Sequence, residues 1–178
     1  FSGPMKFAAD AFSSSLVPII PALSPTYMLQ RPPSTEDWMI HQILEDLHSD
    51  ASQRNITLPT LVVCAVEPHF DDTLFMYYAY VDGINVMNYY NGQFSATDGI
   101  RSVVVADYVV TRTNGTILRE DFIARNVATV NEFVLSHIDS FTLLHRYLLP
   151  DGSVASLFRR MASLELPANA QMSAHLAI

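Results

Sequence analysis

The chain has 178 residues, enough for one domain with a sizeable core. Apolar residues make up 49% and charged residues 16%, below the roughly 25% usual for a soluble domain, so little charge is left to cover a surface and contact with other chains is expected. A net charge of −8, with no basic cluster larger than Arg159-Arg160, speaks against binding nucleic acid through phosphates, and no apolar run approaches the ~20 residues of a membrane span.

The sequence opens Phe-Ser-Gly-Pro, a start that suits a processed product, a fragment or a tagged chain. No signal peptide is seen. Residues 1–33 carry Pro4, Pro18, Pro21, Pro25, Pro32 and Pro33 and a serine run at 13–15. Proline at that density denies helix and central strand and favours extended, polyproline-like backbone. A disordered linker would be polar, yet this stretch holds Phe7, Phe12, Leu16, Val17, Ile19, Ile20, Leu23, Tyr27, Met28 and Leu29. It reads as an extended apolar arm, laid on its own domain or across a neighbouring subunit.

A single α+β domain is expected over 34–165. Ser34, followed by Glu36 and Asp37, predicts a helix start, and Met39, Ile40, Ile43, Leu44 and Leu47 continue at helical spacing. His41 and Glu45, four apart, read as solvated. The sequons at Asn55 and Asn114 are left open. Leu61–Val66 (LVVCAV), between Pro59 and Pro68, reads as a buried strand. Cys64 within it reads as a small buried hydrophobe, since one cysteine makes neither an internal disulfide nor a Cys-based zinc site.

Residues 74–90 predict a β-hairpin. Two aromatic-rich runs flank Asp82-Gly83, a pair that supplies the positive φ of a type I′ turn. Neither face of this hairpin is polar, which marks Tyr77, Tyr78, Tyr80, Tyr89 and Tyr90 as an interface. The alternative for 74–81 is a short buried helix, which would make the region a strand-turn-helix-strand unit of a parallel sheet. Asn91-Gly92, Asp98-Gly99 and Asn114-Gly115 bracket a further strand, Ile100–Thr113. Four strands with turn signals between them predict a mostly antiparallel sheet.

Residues 118–149 lack Gly and Pro. Phe122, Val127, Val130, Val134, Ile138, Phe141, Leu144 and Leu148 predict one long C-terminal helix packed on the sheet. Pro150-Asp151-Gly152 ends it, and Ser153 is placed to cap a short helix through Leu164. Residues 166–178 read as an apolar tail.

Pro68-His69-Phe70-Asp71-Asp72 is the one cluster with chemical interest. His69 and Asp72, leaving the end of a buried strand, suit a divalent metal, with Asp71 as base toward a metal-bound water. The stretch Leu61–Leu74 resembles the LmbE/PIG-L deacetylases, whose Pro/Ala-His-Pro-Asp-Asp-Glu motif follows their first strand. The resemblance implies zinc held by His69 and Asp72, with Asp71 as general base. Phe70 stands where that family has Pro, and Thr73 where it has Glu. The family's third metal ligand comes from a later His-x-Asp-His, and here His137-Ile138-Asp139 is followed by Ser140 instead of His. No Gly-rich phosphate loop, nucleophile elbow or His-Glu-x-x-His is present.

With no complete catalytic set, the expected function is non-enzymatic: a protein-interaction or assembly protein, such as a subunit or processed segment of a viral-shell-like assembly. Its partners would be other proteins or copies of itself, and no cofactor is expected. A metal-dependent hydrolase built around residues 68–72 is the alternative. An effector or secretion-chaperone-like binding protein is a further one. The sequence does not fix the compartment.

Overall fold

The computed structural model describes residues 36–67, 69–89, 91–113 and 122–161. The expected arm over 1–33, Ser34, Tyr90, the sequon at Asn114 and the expected tail over 166–178 lie outside the described residues. Every element named below belongs to the unit that begins at Asp37. Among the described residues the fold is α+β: four helices, a five-stranded mixed sheet and a separate two-strand hairpin. Among the described residues no helix is long and apolar enough to cross a membrane.

The first helix, α1 (Ile40–Gln53), starts after Met39 rather than at Ser34, with Met39 in the left-handed region at φ 59°. The Met39 N–H donates to Asp37 Oδ1 at 2.8 Å, so an acidic side chain prepares the helix from two residues away. Ile40, Ile43, Leu44, Leu47 and Ala51 bury one stripe of α1. The apolar run after Pro59 is a strand as expected, β1 (Thr60–Cys64). Its continuation folds into a tight pair, β2 (Val66–Glu67) and β3 (Phe70–Asp71).

The predicted hairpin is not there. Residues 72–82 form helix α2 (Asp72–Asp82), and only Met87–Asn88 of the second run is a strand, β4. Asp71 caps α2 by accepting from the Leu74 N–H at 2.8 Å. Gly83, at φ 68°, ends it, with the N–H groups of Gly83 and Ile84 donating to the carbonyls of Tyr80 and Ala79. A hairpin turn and a helix C-cap both need positive φ next to an Asp or Gly. Asp82-Gly83 therefore marks the right place and the wrong structure. The helix alternative is the one the chain adopts, but only Phe75 and Ala79 of it are buried.

The expected strand Ile100–Thr113 divides in two. Helix α3 (Ala96–Val105) takes the first part and β5 (Tyr108–Thr113) the second. The Ser95 hydroxyl caps α3 by accepting from the Asp98 N–H at 3.3 Å, and Asp98 pairs with Arg101 at 2.7 Å. Asp98-Gly99 thus lies in the first turn of a helix.

The long C-terminal helix is also corrected. Helix α4 (Phe122–Ser136) stops at a 3₁₀ turn, Ile138–Ser140, and the chain returns as two antiparallel strands, β6 (Phe141–Leu148) and β7 (Val154–Arg160). The segment expected as a helix capped by Ser153 is β7. The chain does contain an Asp-Gly hairpin, at Asp151-Gly152. There Gly152 sits at φ 79°, and the Leu149 N–H donates to the Ser153 carbonyl at 2.9 Å.

Strand order is β4-β1-β5-β7-β6. β1 runs parallel to β4 and to β5, with Leu61 opposite Tyr108 and Cys64 opposite Thr111. β5 and β7 are antiparallel, as are β7 and β6. The expected mostly antiparallel four-stranded sheet is a mixed one because helices, not turns, link β1 to β4 and β4 to β5. One face of the sheet packs Leu61, Val63, Tyr108, Val110 and Leu157 against α1 and against Phe75 and Ala79 of α2. The other packs Val62, Cys64, Val109 and Phe158 against Val103 of α3 and Val130, Phe133 and Val134 of α4. Hydrogen bonds from Tyr108 to Asp50 and from Tyr147 to Asp46, both 2.7 Å, fasten α1 to the sheet, and Arg159 reaches Asp50 at 2.6 Å.

Candidate functional site

In sheets with helices on both faces, ligand chemistry gathers at the carboxyl ends of the parallel strands, where successive connections leave for opposite faces. Here α2 leaves β1 for one face and α3 leaves β4 for the other. The polar cluster expected from the sequence stands at this rim, between β1 and α2. Its three members have separate employments. The His69 ring lies against Trp38, centroids 5.5 Å apart. Asp71 caps α2. Asp72 Oδ1 accepts from Gln93 Nε2 at 3.1 Å, and the Gln93 carbonyl accepts from Asn126 of α4 at 3.1 Å. Among the described residues no three His, Cys, Asp or Glu side chains are grouped to hold a metal ion. His137 follows α4, with its ring on Phe133 and Nδ1 2.9 Å from the Phe133 carbonyl.

Burial pushes the Asp71 carboxyl up to about 6, and the neighbouring Asp72 charge adds to this, while the Leu74 and Thr73 N–H groups oppose it. Burial raises Asp72 as well. Between about pH 4 and about pH 6 the folded chain therefore holds a proton at Asp71 that the unfolded chain has released. By linkage, stability falls as pH rises through that window and levels off above it. Asn is as good a helix cap as Asp and has no charge to desolvate. Asp71→Asn is expected to raise stability at pH 7 by about 1–2 kcal/mol, a figure reduced from the full shift because the carboxyl keeps partial contact with solvent. It should leave stability at pH 4 unchanged. Urea melts of the two proteins at both pH values measure this.

Two residues that the sequence reading passed over form the most buried charged contact at this rim. Glu67 ends β2 and Arg112 lies near the end of β5; Arg112 Nη1 is 3.4 Å from Glu67 Oε1, both side chains under one-tenth exposed. Arg112 also bonds Asp151, and its Nε donates to Ser153 Oγ at 2.9 Å. Desolvation alone would raise Asp151, but bonds from Ser153 and Arg112 outweigh it and hold the carboxyl below the usual range. Beyond Cys64, β1 no longer borders β5. Asn131 of α4 takes its place, its side chain accepting from the Arg112 N–H and donating to the Arg112 carbonyl, each at 3.3 Å. The split between the two strands is thus filled by the protein's own amide. Glu67 Oε2 and Thr111 Oγ1 are buried without a hydrogen-bond partner among the described residues. Thr111 and Arg112 are neighbours on a strand and face opposite sides of the sheet, so these two atoms do not converge on one space. Cys64 is buried, and desolvation pushes its thiol up to about 12, so it is chemically quiet.

The five tyrosines expected at an interface part company. Tyr78 is partly buried against the core, edge-on to the His41 ring with centroids 4.4 Å apart. Tyr89 packs partly buried on the α3–α4 side, and Tyr90 lies outside the described residues. Tyr77 and Tyr80 point outward from α2, 52% and 86% exposed. They belong to a stripe. Phe75 and Ala79 bury the inner face of α2, whereas Thr73, Met76, Tyr77, Tyr80 and Val81, spaced three and four apart, form its outer face. Met76 and Val81 are exposed too, as is Met87 on the edge strand β4. His41 Nδ1 lies 2.6 Å from Asp82 Oδ2, which engages the carboxylate at the end of this face.

Comparison of the chain with protein-family models, with curated proteins and with solved structures finds no match.

Proposed function

We propose that the chain is a protein-interaction module that assembles with other protein chains, or with copies of itself, through the outer face of α2. The observation that carries this reading is the doubly apolar helix: α2 buries Phe75 and Ala79, yet presents Met76, Tyr77, Tyr80 and Val81 to solvent. A helix that is apolar on both sides is ordinarily covered on both sides. Tyrosine and methionine are enriched where proteins meet, because they bury area and tyrosine keeps a polar tip to bond. The low charged share of the chain agrees, since 16% leaves few residues to keep such a face soluble.

Sedimentation velocity of the full chain over a range of concentrations tests the reading. The wild type is expected to associate, and Tyr77→Ser/Tyr80→Ser to sediment as a monomer. Both side chains are exposed, so the double variant should keep the wild-type circular dichroism and lose no more than about 0.5 kcal/mol of stability. A wild type that remains monomeric at high concentration and associates with no other chain sinks the reading.

A further inference from the structure

We infer that the rim at the carboxyl ends of β1 and β4 binds a planar aromatic ligand that carries a cationic nitrogen. Its ring lies on Phe94 and Phe122, and its nitrogen meets Asp72. This site does not rest on the reading of the α2 outer face.

Three contacts in a row build it, between the loop after β4 and one stripe of α4. A Cβ at Gly92 would come within 2.7 Å of Val130 Cγ2, so the loop starts in close contact with the helix. The Gln93 carbonyl accepts from Asn126 Nδ2 at 3.1 Å. The Phe94 and Phe122 rings meet with centroids 6.5 Å apart and planes tilted by 40°. Val130, Asn126 and Phe122 are spaced four apart and share one side of α4. Along this row the contact opens to solvent. Val130 is buried and Asn126 half-buried, while Phe94 and Phe122 are 69% and 52% exposed. Two phenylalanines held side by side with their outer surfaces open offer a third ring an offset or edge-on partner.

Charge selects the ligand. From the same loop Gln93 Nε2 reaches Asp72 Oδ1 at 3.1 Å. Burial works against the Asp72 charge, and the groups that support it are neutral donors: Thr73, Gln93 and backbone N–H groups. Asp71 adds a second carboxyl beside it, and residues 67–100 contain no Lys or Arg. What this carboxyl lacks is a counter-charge rather than a hydrogen bond, and a ligand cation supplies it. The negative faces of the phenylalanine rings favour the same sign.

Calorimetric titration of the full chain with benzamidine, a phenyl ring joined to an amidinium group, tests the site near neutral pH. Saturable binding with a Kd of about 1 mM is expected of so small a probe. Cyclohexanecarboxamidine keeps the charge without the aromatic ring, and benzoate keeps the ring with the opposite charge. Each is expected to bind at least about tenfold more weakly. Phe94→Ala/Phe122→Ala and Asp72→Asn should each weaken benzamidine about tenfold. Both rings are exposed, and asparagine still accepts from Gln93, so both variants should keep the wild-type circular dichroism. Tyr77→Ser/Tyr80→Ser should bind benzamidine as the wild type does. Absence of saturable binding overturns the proposal. So does binding that survives loss of the two phenylalanines, that is lost with the α2 tyrosines, or that benzoate matches.

Discussion

Arg112→Met is expected to cost about 3 kcal/mol of folding stability, at the lower end of the penalty for breaking a buried ion pair by removing one partner. The reason is the residue left behind. Glu67 is under one-tenth exposed, Arg112 is the cation beside it, and its Oε2 already lacks a hydrogen-bond partner among the described residues. Methionine would fill the space of the arginine stem and leave that carboxylate buried without a counter-charge. It would also release Asp151 and Ser153 at the β6–β7 turn. Urea denaturation gives the measurement. Adding Glu67→Gln to Arg112→Met should recover part of the loss, since the orphaned charge is then gone. The two changes should therefore be less than additive. Full additivity would mean that the 3.4 Å contact contributes nothing to coupling.

Parts of this fold are legible in the sequence where local and tertiary preferences agree. Leu61–Val66 is apolar throughout and rich in valine, and its first four residues lie in β1, an interior strand of the sheet. Ile40, Ile43, Leu44 and Leu47 recur at helical spacing, and they bury α1. The misreadings share a cause. Tyr, Val and Ile fit a pleated surface, so MYYAYV and IRSVVV look like strands when judged alone. Each is nonetheless helical because a cap precedes it, Asp71 for α2 and Ser95 for α3, and because one side of each helix meets the core. The error ran the other way in the last third of the chain. Phe141, Leu144 and Leu148 continue the helical period of α4, yet they lie on β6, where a bulge between Leu143 and His145 shifts the alternation. A bulge breaks the period of two and makes a strand resemble a helix.

The site was legible in the same uneven way. A hairpin over 74–90 would have set its tyrosines on two sheet faces; on the helix that forms instead, Tyr77 and Tyr80 point outward while Tyr78 packs against the core. The Asp71-Asp72 pair is visible as a cluster, but its employment in capping α2 and holding Gln93 depends on a helix that the sequence offers only as the alternative to a hairpin. Glu67 and Arg112 could not have been paired from sequence. They are 45 positions apart, a separation read from their numbers, and they meet because β1 and β5 are neighbours despite two intervening helices. The one signal was a lone charged side chain, one residue from the end of the strand YVVTRT.

Gly99→Ala is expected to cost about 2–3 kcal/mol, among the larger losses a single added methyl group causes. A Cβ at Gly99 would come within 2.6 Å of the Gly92 Cα, 2.9 Å of the Gly92 nitrogen and 2.6 Å of Val130 Cγ2. A side-chain methyl has some freedom to rotate away, but the backbone of Gly92 does not. Gly92 sits at φ 93°, at the start of the loop that carries Gln93 toward Asp72. Pushing it outward would lift α3 from α4 and draw Gln93 off the carboxyl it holds. Gly83→Ala separates this close packing from backbone strain. Gly83 has nothing within 4 Å of its added Cβ and carries only the positive φ of a helix cap, so it should lose about 1 kcal/mol from left-handed strain alone. Thermal and urea melts of the two variants give the order. Equal losses would mean that the Gly92–Gly99 contact relaxes freely and that α3 and α4 are not held at a fixed separation.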